Sequence, residues 1–216
     1  GGGEEYHVPE LDSLIMEVDF VSMHTYPMHD THYNPDFWGV LESEKDLSDS
    51  LKISRAMQRS LEYAQMQFES TSTYIAAIDS TKPVHIGETG WATESNRLYG
   101  SDGSKACDEY KSGIYHRLMR EWTDRDSITC FYFIGFDEIW KDANNPGGSE
   151  NHFGLFDING QAKYGIWDLV EEGAFGDVRL FDHLLHRSAR QAYIQHHLLS
   201  HIHDLVFGDI AVSGHR

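Results

Sequence analysis

Three short apolar segments, separated by two long stretches with helical periodicity, constrain the fold of this chain more than any other feature. The first spans residues 18–27, the second lies within 82–91, and the third spans 128–136. The intervening stretches are far longer than a hairpin turn, and such connections are typical of parallel strands joined by helices. Residues 18–176 therefore predict an α/β fold around a parallel sheet. The third segment is apolar throughout, and we expect it to be covered on both faces.

The stretches between the strands have the apolar spacing of amphipathic helices. From 47 to 78 the apolar positions step by three and four, at Met57, Leu61, Ala64, Phe68, Thr71, Ile75 and Ile78. We predict a helix there, bent or divided at residues 70–73, because serine and threonine hydroxyls compete with backbone hydrogen bonds. A second helix follows from the four-residue spacing of Ala106, Tyr110, Ile114, Leu118 and Trp122, and short helices are predicted at 11–16 and 164–170.

Charge and hydropathy limit the partners of this protein. The formal net charge is −18, and all of it lies in residues 1–176, since 177–216 contain four arginines and four aspartates. A surface this acidic repels a phosphate backbone, so we expect no nucleic-acid partner, whereas a neutral polysaccharide is compatible with it. We also expect no membrane segment, because no apolar run approaches the roughly 20 residues that a membrane helix needs.

Residues 177–216 differ in composition from the rest, and we predict a separate tail that is helical or disordered. They contain seven of the 14 histidines and neither lysine nor glutamate. His197 and His201 have the spacing of a metal-binding pair on a helix, but surface or packing histidines are the simpler interpretation. The two cysteines, Cys107 and Cys130, indicate neither a zinc site nor a disulfide framework. We therefore expect no metal and no cofactor.

Polar and aromatic residues collect where each predicted strand ends. These are His24 and Tyr26 after the first strand, Glu88 and Trp91 after the second, and Asp137, Glu138 and Lys141 after the third. The carboxyl ends of the strands in a parallel barrel meet on one rim, so we expect these side chains to share a crevice. Retaining glycoside hydrolysis needs two carboxyl groups about 5–5.5 Å apart, and neighbouring aromatic faces pack on the sugar ring. The pattern favours an enzyme that acts on sugars.

Longer motifs contain these residues. They are Val-Asp-Phe-Val-Ser-Met-His-Thr-Tyr-Pro at 18–27, Lys-Pro-Val-His-Ile-Gly-Glu-Thr-Gly-Trp at 82–91, and Phe-Asp-Glu-Ile-Trp-Lys at 136–141, followed by Glu-Asn-His-Phe-Gly-Leu-Phe at 150–156. In this order and spacing they resemble the last three strand-end motifs of glycoside hydrolase family 17, the β-1,3-glucanases and related glucan transferases. That family is built on a (β/α)8 TIM barrel. The resemblance implies that residues 1–176 form the C-terminal part of such a barrel, about strands six to eight.

The resemblance also implies roles for the residues after the first two strands. Glu88 corresponds to the catalytic nucleophile of the family. Tyr26 and Trp91 correspond to side chains that line the same sugar subsite. His24 is either a further substrate contact or a packing residue, since family members differ at that position. No role follows for His152 or Trp140 beyond loop structure.

A charged group after the third strand completes the predicted site. Glu138, Lys141 and Glu150 correspond to the family's cluster that hydrogen-bonds the sugar and orients the nucleophile. An ordinary ion pair between Glu138 and Lys141 is the alternative, and at an exposed position such a pair contributes only about 0–1 kcal/mol. The expected ligand of the whole site is a β-1,3-glucan or one of its oligosaccharides.

The chain departs from the family pattern at the general acid. In the family this is a glutamate in an Asn-Glu pair after strand four, and no Asn-Glu pair occurs in the 216 residues. The chain also opens with Gly1-Gly2-Gly3 and without an initiator methionine. We therefore expect a piece of a longer enzyme whose partner is the N-terminal part of the barrel. A family member would work in a secreted, periplasmic or cell-envelope location.

Three functions remain open at this point. The first is hydrolysis of β-1,3-glucan, and the second is transglycosylation through the same glycosyl-enzyme intermediate. The third is glucan binding by a non-catalytic or vestigial fragment. General acid–base help contributes about 10²–10⁴-fold to such reactions, so a chain without its acid should turn over poorly.

Overall fold

The computed structural model describes residues 7–31, 34–96 and 106–175, which contain a three-stranded parallel sheet. The strands are β1 (Val21–Thr25), β2 (Val84–Thr89) and β3 (Cys130–Tyr132), in the order β1-β2-β3. The central strand, β2, pairs in parallel with both neighbours. The predicted α/β arrangement with a parallel sheet is confirmed.

Within the described ranges the helices are α1 (Pro9–Glu17), α2 (Pro27–Asp30), α3 (Asp49–Ile78), α4 (Glu109–Arg125) and α5 (Trp167–Glu171). The connection from β1 to β2 passes through α3, and the connection from β2 to β3 passes through α4. These are the crossovers that parallel pairing requires. Short 3-10 turns lie in the loops at Pro35–Phe37, Glu42–Glu44, Ser149–Asn151 and Tyr164–Ile166.

The long helix α3 runs without interruption for 30 residues. The predicted division at 70–73 does not occur. Ile75 lies beyond the serine and threonine cluster and is buried, so the apolar face of the helix continues to pack past that point. Tertiary packing of this kind outweighs the weak local preference of serine and threonine against helix.

One face of the sheet packs against the helices and forms the core. Ile86 of β2 is completely buried, in one cluster with Met57 of α3 and Tyr115 of α4. In the sheet register Ile86 pairs with Met23 on one side and with Cys130 on the other. These paired side chains therefore point toward the helices.

The opposite face of the sheet is open in the described residues. Side chains alternate along a strand, so His24 and Phe131 lie on this second face. Phe131 is 62% exposed, and Phe20, just before β1, is 50% exposed although its ring stacks at 4.7 Å on His85 of β2. We call this surface, with Phe20, His24, His85, Glu88 and Phe131, the open face.

The third strand is shorter than the predicted 128–136 segment, and the prediction that it is covered on both faces is wrong for the described residues. Phe133 N still donates to Thr89 O of β2 at 2.7 Å, but from Ile134 onward the backbone bonds to a returning loop. Ile134 N donates to Phe153 O at 3.3 Å, and Leu155 N donates to Ile134 O at 2.9 Å. The apolar segment 128–136 thus contains a short strand, followed by residues that pack against a loop.

Two further predictions concern the C-terminal tail and the absence of a membrane-spanning segment. The tail at 177–216, with His197 and His201, lies outside the described residues. In the described part of the chain, every helix is too short or too polar to cross a membrane.

Candidate active site

Glu88 lies near the C-terminal end of the central strand, on the open face. Its backbone pairs with His24 of β1, after a register shift that follows Met23. The shift brings Gly87 against Ser22, where a Cβ would lie only 1.9 Å from the serine Oγ. The Glu88 side chain is 41% exposed. Its carboxylate is thus reachable from solvent, while its backbone is fixed in the sheet.

The phenol of Tyr26 holds one oxygen of this carboxylate. Tyr26 Oη donates a hydrogen bond of 3.0 Å to Glu88 Oε2. Tyr26 occupies the corner between β1 and α2, where its backbone N donates to Asp30 Oδ2 at 3.0 Å. Burial raises the pKa of Tyr26 above its ordinary value, and the charge of Glu88, its hydrogen bond and the charge of Glu150 raise it further. The phenol therefore remains a protonated donor.

His24 approaches the same carboxylate oxygen. Its Nδ1 lies 3.4 Å from Glu88 Oε2, and its side chain is 55% exposed. More than half of the imidazole is therefore open to solvent beside the carboxylate. Oε2 thus faces both Tyr26 and His24, whereas no described residue donates a hydrogen bond to Glu88 Oε1.

The three charged residues after β3 also come together. Lys141 Nζ lies 3.5 Å from Glu138 Oε2 and 4.0 Å from Glu150 Oε2. The same ammonium group lies 4.2 Å from the centre of the Phe133 ring, which is the geometry of a cation–π contact. Because these side chains are partly exposed, the ion pairs add little stability. The ion pairs instead place one ammonium group beside two carboxylates after β3.

Two phenylalanines connect the charged cluster to Glu88. The Phe133 ring contacts the Phe153 ring edge to face at 5.6 Å, and Phe153 contacts the Tyr26 ring in the same manner at 5.8 Å. A continuous series of contacts therefore joins Lys141, Phe133, Phe153, Tyr26 and Glu88. Neither phenylalanine was predicted as a site residue, although Phe153 lies within the motif at 150–156 and Phe133 lies in the third apolar segment.

A buried ion pair lies directly behind this series. Asp137 is 6% exposed, and its Oδ1 accepts hydrogen bonds from Lys163 Nζ at 2.7 Å and from Gly154 N at 2.9 Å. Lys163 Nζ also donates to Thr93 Oγ1 at 2.6 Å. The pair thereby ties the end of β3 to the loop that follows Glu88. Nothing in the sequence singled out Lys163, because its partner is 26 residues away.

The structure corrects the prediction for Trp91. The indole is completely buried, its Nε1 donates to Ala106 O at 3.1 Å, and its ring packs on Tyr115 at 5.3 Å. A fully buried ring has no face open to a sugar, so Trp91 packs the end of β2 against α4 and does not line the site. Its neighbour Gly90 allows a close backbone approach, since a Cβ there would lie 2.4 Å from Phe133 O.

A separate cavity lies on the helical side of the sheet. Its volume is about 320 Å³, and His116, Arg120, Cys130 and Tyr132 contribute to its lining. Cys130 points toward the helices, so the cavity is on the opposite face from Glu88. In the described ranges no group of three or more histidine, cysteine, aspartate or glutamate side chains is arranged to hold a metal ion. The polar groups around Glu88 and the end of β3 are carboxylates, a phenol, an imidazole and an ammonium group.

Comparison with known proteins identifies several enzymes that this chain resembles. No family model matches the chain. An endo-laminarinase from Formosa Hel1_33_131 superimposes with a TM-score of 0.77 and 55% identity, over 84% of this chain and 46% of that one. This chain is thus similar to an endo-laminarinase over most of its own length.

Two further proteins are less similar to this chain. A glucan 1,3-beta-glucosidase from Arthroderma benhamiae is 34% identical over 92 residues, which are 39% of this chain and 28% of that protein. A glycoside hydrolase family 17 β-1,3-glucanosyltransferase from Rhizomucor miehei is 23% identical with a TM-score of 0.42, over 74% of this chain and 46% of that one. The chain thus spans less than half the length of these relatives.

Proposed function

We propose that this chain is the C-terminal part of a retaining β-1,3-glucan hydrolase in which Glu88 is the nucleophile. The geometry at Glu88 carries the proposal. Tyr26 holds Oε2 at 3.0 Å, and the described residues leave Oε1 without a donor on a partly exposed side chain. This arrangement fixes the carboxylate and leaves one oxygen free to attack. The 55% identity to an endo-laminarinase supports the same substrate class.

In this mechanism Glu88 Oε1 forms a bond to the anomeric carbon as the bond from that carbon to the leaving oxygen breaks. The leaving oxygen takes a proton from a general acid, and a glycosyl-enzyme remains. Water then adds to the anomeric carbon and gives its proton to the conjugate base of that general acid, while the bond from the anomeric carbon to Glu88 Oε1 breaks and restores the carboxylate. A sugar hydroxyl in place of water would give transglycosylation through the same intermediate. Glu138, Lys141 and Glu150 bind sugar hydroxyls, and Lys141 limits the repulsion between the carboxylates.

The proposal includes a TIM barrel completed by residues outside this chain. The open face carries two phenylalanines that are 50% and 62% exposed, and the interior of such a barrel is normally a packed core. More than half of the endo-laminarinase has no counterpart here, since the match covers 46% of it. We infer that the missing part covers the open face and supplies the general acid.

The domain division belongs to the same proposal. Residues 1–176 form the catalytic part, and 177–216 form an extension without a role in it. The charge distribution supports this boundary, because the entire net charge of −18 lies before residue 177. The endo-laminarinase match, which covers 84% of the chain, is also consistent with it.

The experiment that tests Glu88 must not depend on the general acid. A 2,4-dinitrophenyl 2-deoxy-2-fluoro-β-laminaribioside meets this need, because dinitrophenolate leaves without protonation and the fluorine slows the second step. We expect intact-mass spectrometry to show one added laminaribiosyl group, located on Glu88 by peptide mapping. Glu88→Gln should not be labelled, whereas Glu94→Gln, which removes one exposed carboxylate from the loop after β2, should be labelled on Glu88.

Two outcomes contradict the proposal. A label on another residue would assign the nucleophile elsewhere. No label on the folded protein, even with the activated leaving group, would favour a non-catalytic glucan-binding fragment.

A further inference from the structure

The exposure of Trp140 sets it apart from the other tryptophans of this chain. Of the five tryptophans, Trp38, Trp91 and Trp122 are buried, and Trp167 is half-buried with its Nε1 donating to Ala162 O at 2.9 Å. Trp140 is 67% exposed, the highest exposure of any large apolar side chain in the described residues. Its ring contacts no aromatic ring, and its Nε1 donates to no acceptor, in that part of the chain.

The backbone holds this indole in place. Lys141 N donates to Glu138 O at 2.9 Å, which closes a turn with Trp140 at its third position. The following loop is organised around Asn151, a completely buried residue. Its Oδ1 accepts from Asp142 N at 2.9 Å, and its Nδ2 donates to Asp142 O and Asn145 O, each at 3.0 Å. A ligand on the indole would therefore have little backbone to order, which lowers the free-energy cost of binding.

The turn also connects Trp140 to the candidate active site. Glu138 and Lys141, the first and last residues of the turn, both belong to the charged cluster. The ammonium group of Lys141 lies on Phe133, the first ring in the series that leads to Glu88. Trp140 is thus attached to the rim of the site by residues on both sides, and its side chain extends from the same turn into solvent.

We propose that Trp140 is an aromatic platform for a glucosyl unit of a bound β-1,3-glucan, at a distance from the unit that reacts with Glu88. The inference rests on the proposed function and adds a preference for longer chains. An indole offers a broad apolar face to the C–H groups of a glucose ring, and its Nε1 can donate to a sugar hydroxyl. A neutral ligand suits this position, because stacking on a ring does not require a charge.

Binding of laminari-oligosaccharides of increasing length tests the inference directly. Isothermal titration calorimetry would compare laminaribiose with laminarihexaose on the full chain and on Trp140→Ala, Trp140→Phe and Ile139→Ala. The first variant should lose about tenfold in affinity for the hexaose, equivalent to about 1.4 kcal/mol, and little for the biose. Trp140→Phe should stay within about threefold of the parent, because a smaller ring still stacks.

Ile139→Ala is the matched control, since Ile139 is the adjacent exposed apolar residue of the same turn. It should bind the hexaose like the parent. A second measurement follows acrylamide quenching of tryptophan fluorescence, to which Trp140 contributes as the most exposed indole. Saturating hexaose should reduce the quenching in the parent and leave that of Trp140→Ala unchanged.

The outcomes separate this inference from the proposed function. If the parent binds both oligosaccharides and Trp140→Ala binds them equally well, the platform is refuted and the glucan site stands. If Ile139→Ala loses as much as Trp140→Ala, the apolar turn has a structural role and the platform is again refuted. If the parent binds no laminari-oligosaccharide, the platform and the glucan site fail together.

Discussion

Tyr26 Oη lies 3.0 Å from Glu88 Oε2, although 62 residues separate the two in the chain. The contact joins the end of β1 to the end of β2 on the open face. A neutral phenol that donates to a carboxylate stabilises its charged form and fixes its orientation. This pair therefore fixes the carboxylate that we propose as the nucleophile.

Replacing Tyr26 by phenylalanine should slow covalent labelling of Glu88. A hydrogen bond to a charged group contributes about 1.5–3 kcal/mol, so we expect a decrease of at least about tenfold with the fluorinated laminaribioside. The rate is measured by the growth of the labelled mass with time. Tyr74→Phe is the matched control, because Tyr74 Oη also donates to a carboxylate, that of Asp12 at 2.6 Å, between α3 and α1. Equal rates for the two variants would contradict the positioning role.

Replacing Lys163 by methionine should destabilise the protein strongly. The substitution leaves the buried carboxylate of Asp137 without its cation, and breaking a buried pair in this way costs about 3–5 kcal/mol. Urea denaturation followed by circular dichroism measures the change. Lys45→Met, which removes the exposed pair with Glu42, should cost no more than about 1 kcal/mol. A loss of similar size in both variants would show that the Asp137–Lys163 pair contributes no more to stability than an exposed ion pair.

Gly90→Ala should also be destabilising, for a steric reason. The added Cβ would lie 2.4 Å from Phe133 O, and a backbone oxygen cannot move aside as a flexible side chain can. We expect a loss of about 1–3 kcal/mol in the free energy of unfolding. Gly135→Ala is the control, since nothing lies within 4 Å of a Cβ there. Equal free energies of unfolding for Gly90→Ala and Gly135→Ala would contradict the close approach of the end of β2 to the Phe133 backbone.

The buried imidazole of His116 predicts a pH dependence of stability. Burial, and then the charge of Arg120, lower its pKa from 6.5 to about 4, while Asp168 and the Gly165 backbone act in the opposite direction. The unfolded chain therefore binds a proton at higher pH than the native state does. Stability from this residue is complete above pH 6.5 and is lost as the pH falls toward 4, by about 3 kcal/mol.

His116→Gln isolates this contribution. As the pH falls from 7 to 5, the unfolding free energy of the parent should decrease more than that of the variant. Urea titrations at several pH values in this window measure it. A difference that stays constant across the window would mean that the native imidazole titrates as freely as the unfolded one.

Local pattern was sufficient to predict much of the fold. The four- and three-residue spacing of Met57, Leu61 and Ala64 identified the buried face of α3, because that spacing is a property of any helix. The parallel order followed from connection lengths. The proximity of Tyr26 and Glu88 was also expected, since carboxyl ends of parallel strands share an edge. Their roles in glucan chemistry remain predictions.

Other features depended on contacts between residues far apart in the chain. Trp91 has the sequence context of a site residue, yet Tyr115 and Ala106 enclose it in the core. No local sequence pattern predicts the Asp137–Lys163 pair or the Phe133–Phe153 contact. The uninterrupted course of α3 likewise required packing energy that its serine and threonine residues do not reveal.

The amino-acid sequence alone thus determined where the strands and helices lie, apart from the length of the third strand, their parallel orientation, and the strand ends at which polar side chains collect. Only the tertiary structure decided which of those side chains face solvent and which face the core. The physical reason is that periodicity and strand ends are local properties of the backbone. The burial of Trp91 and the exposure of Trp140 depend instead on what the rest of the folded chain places against them.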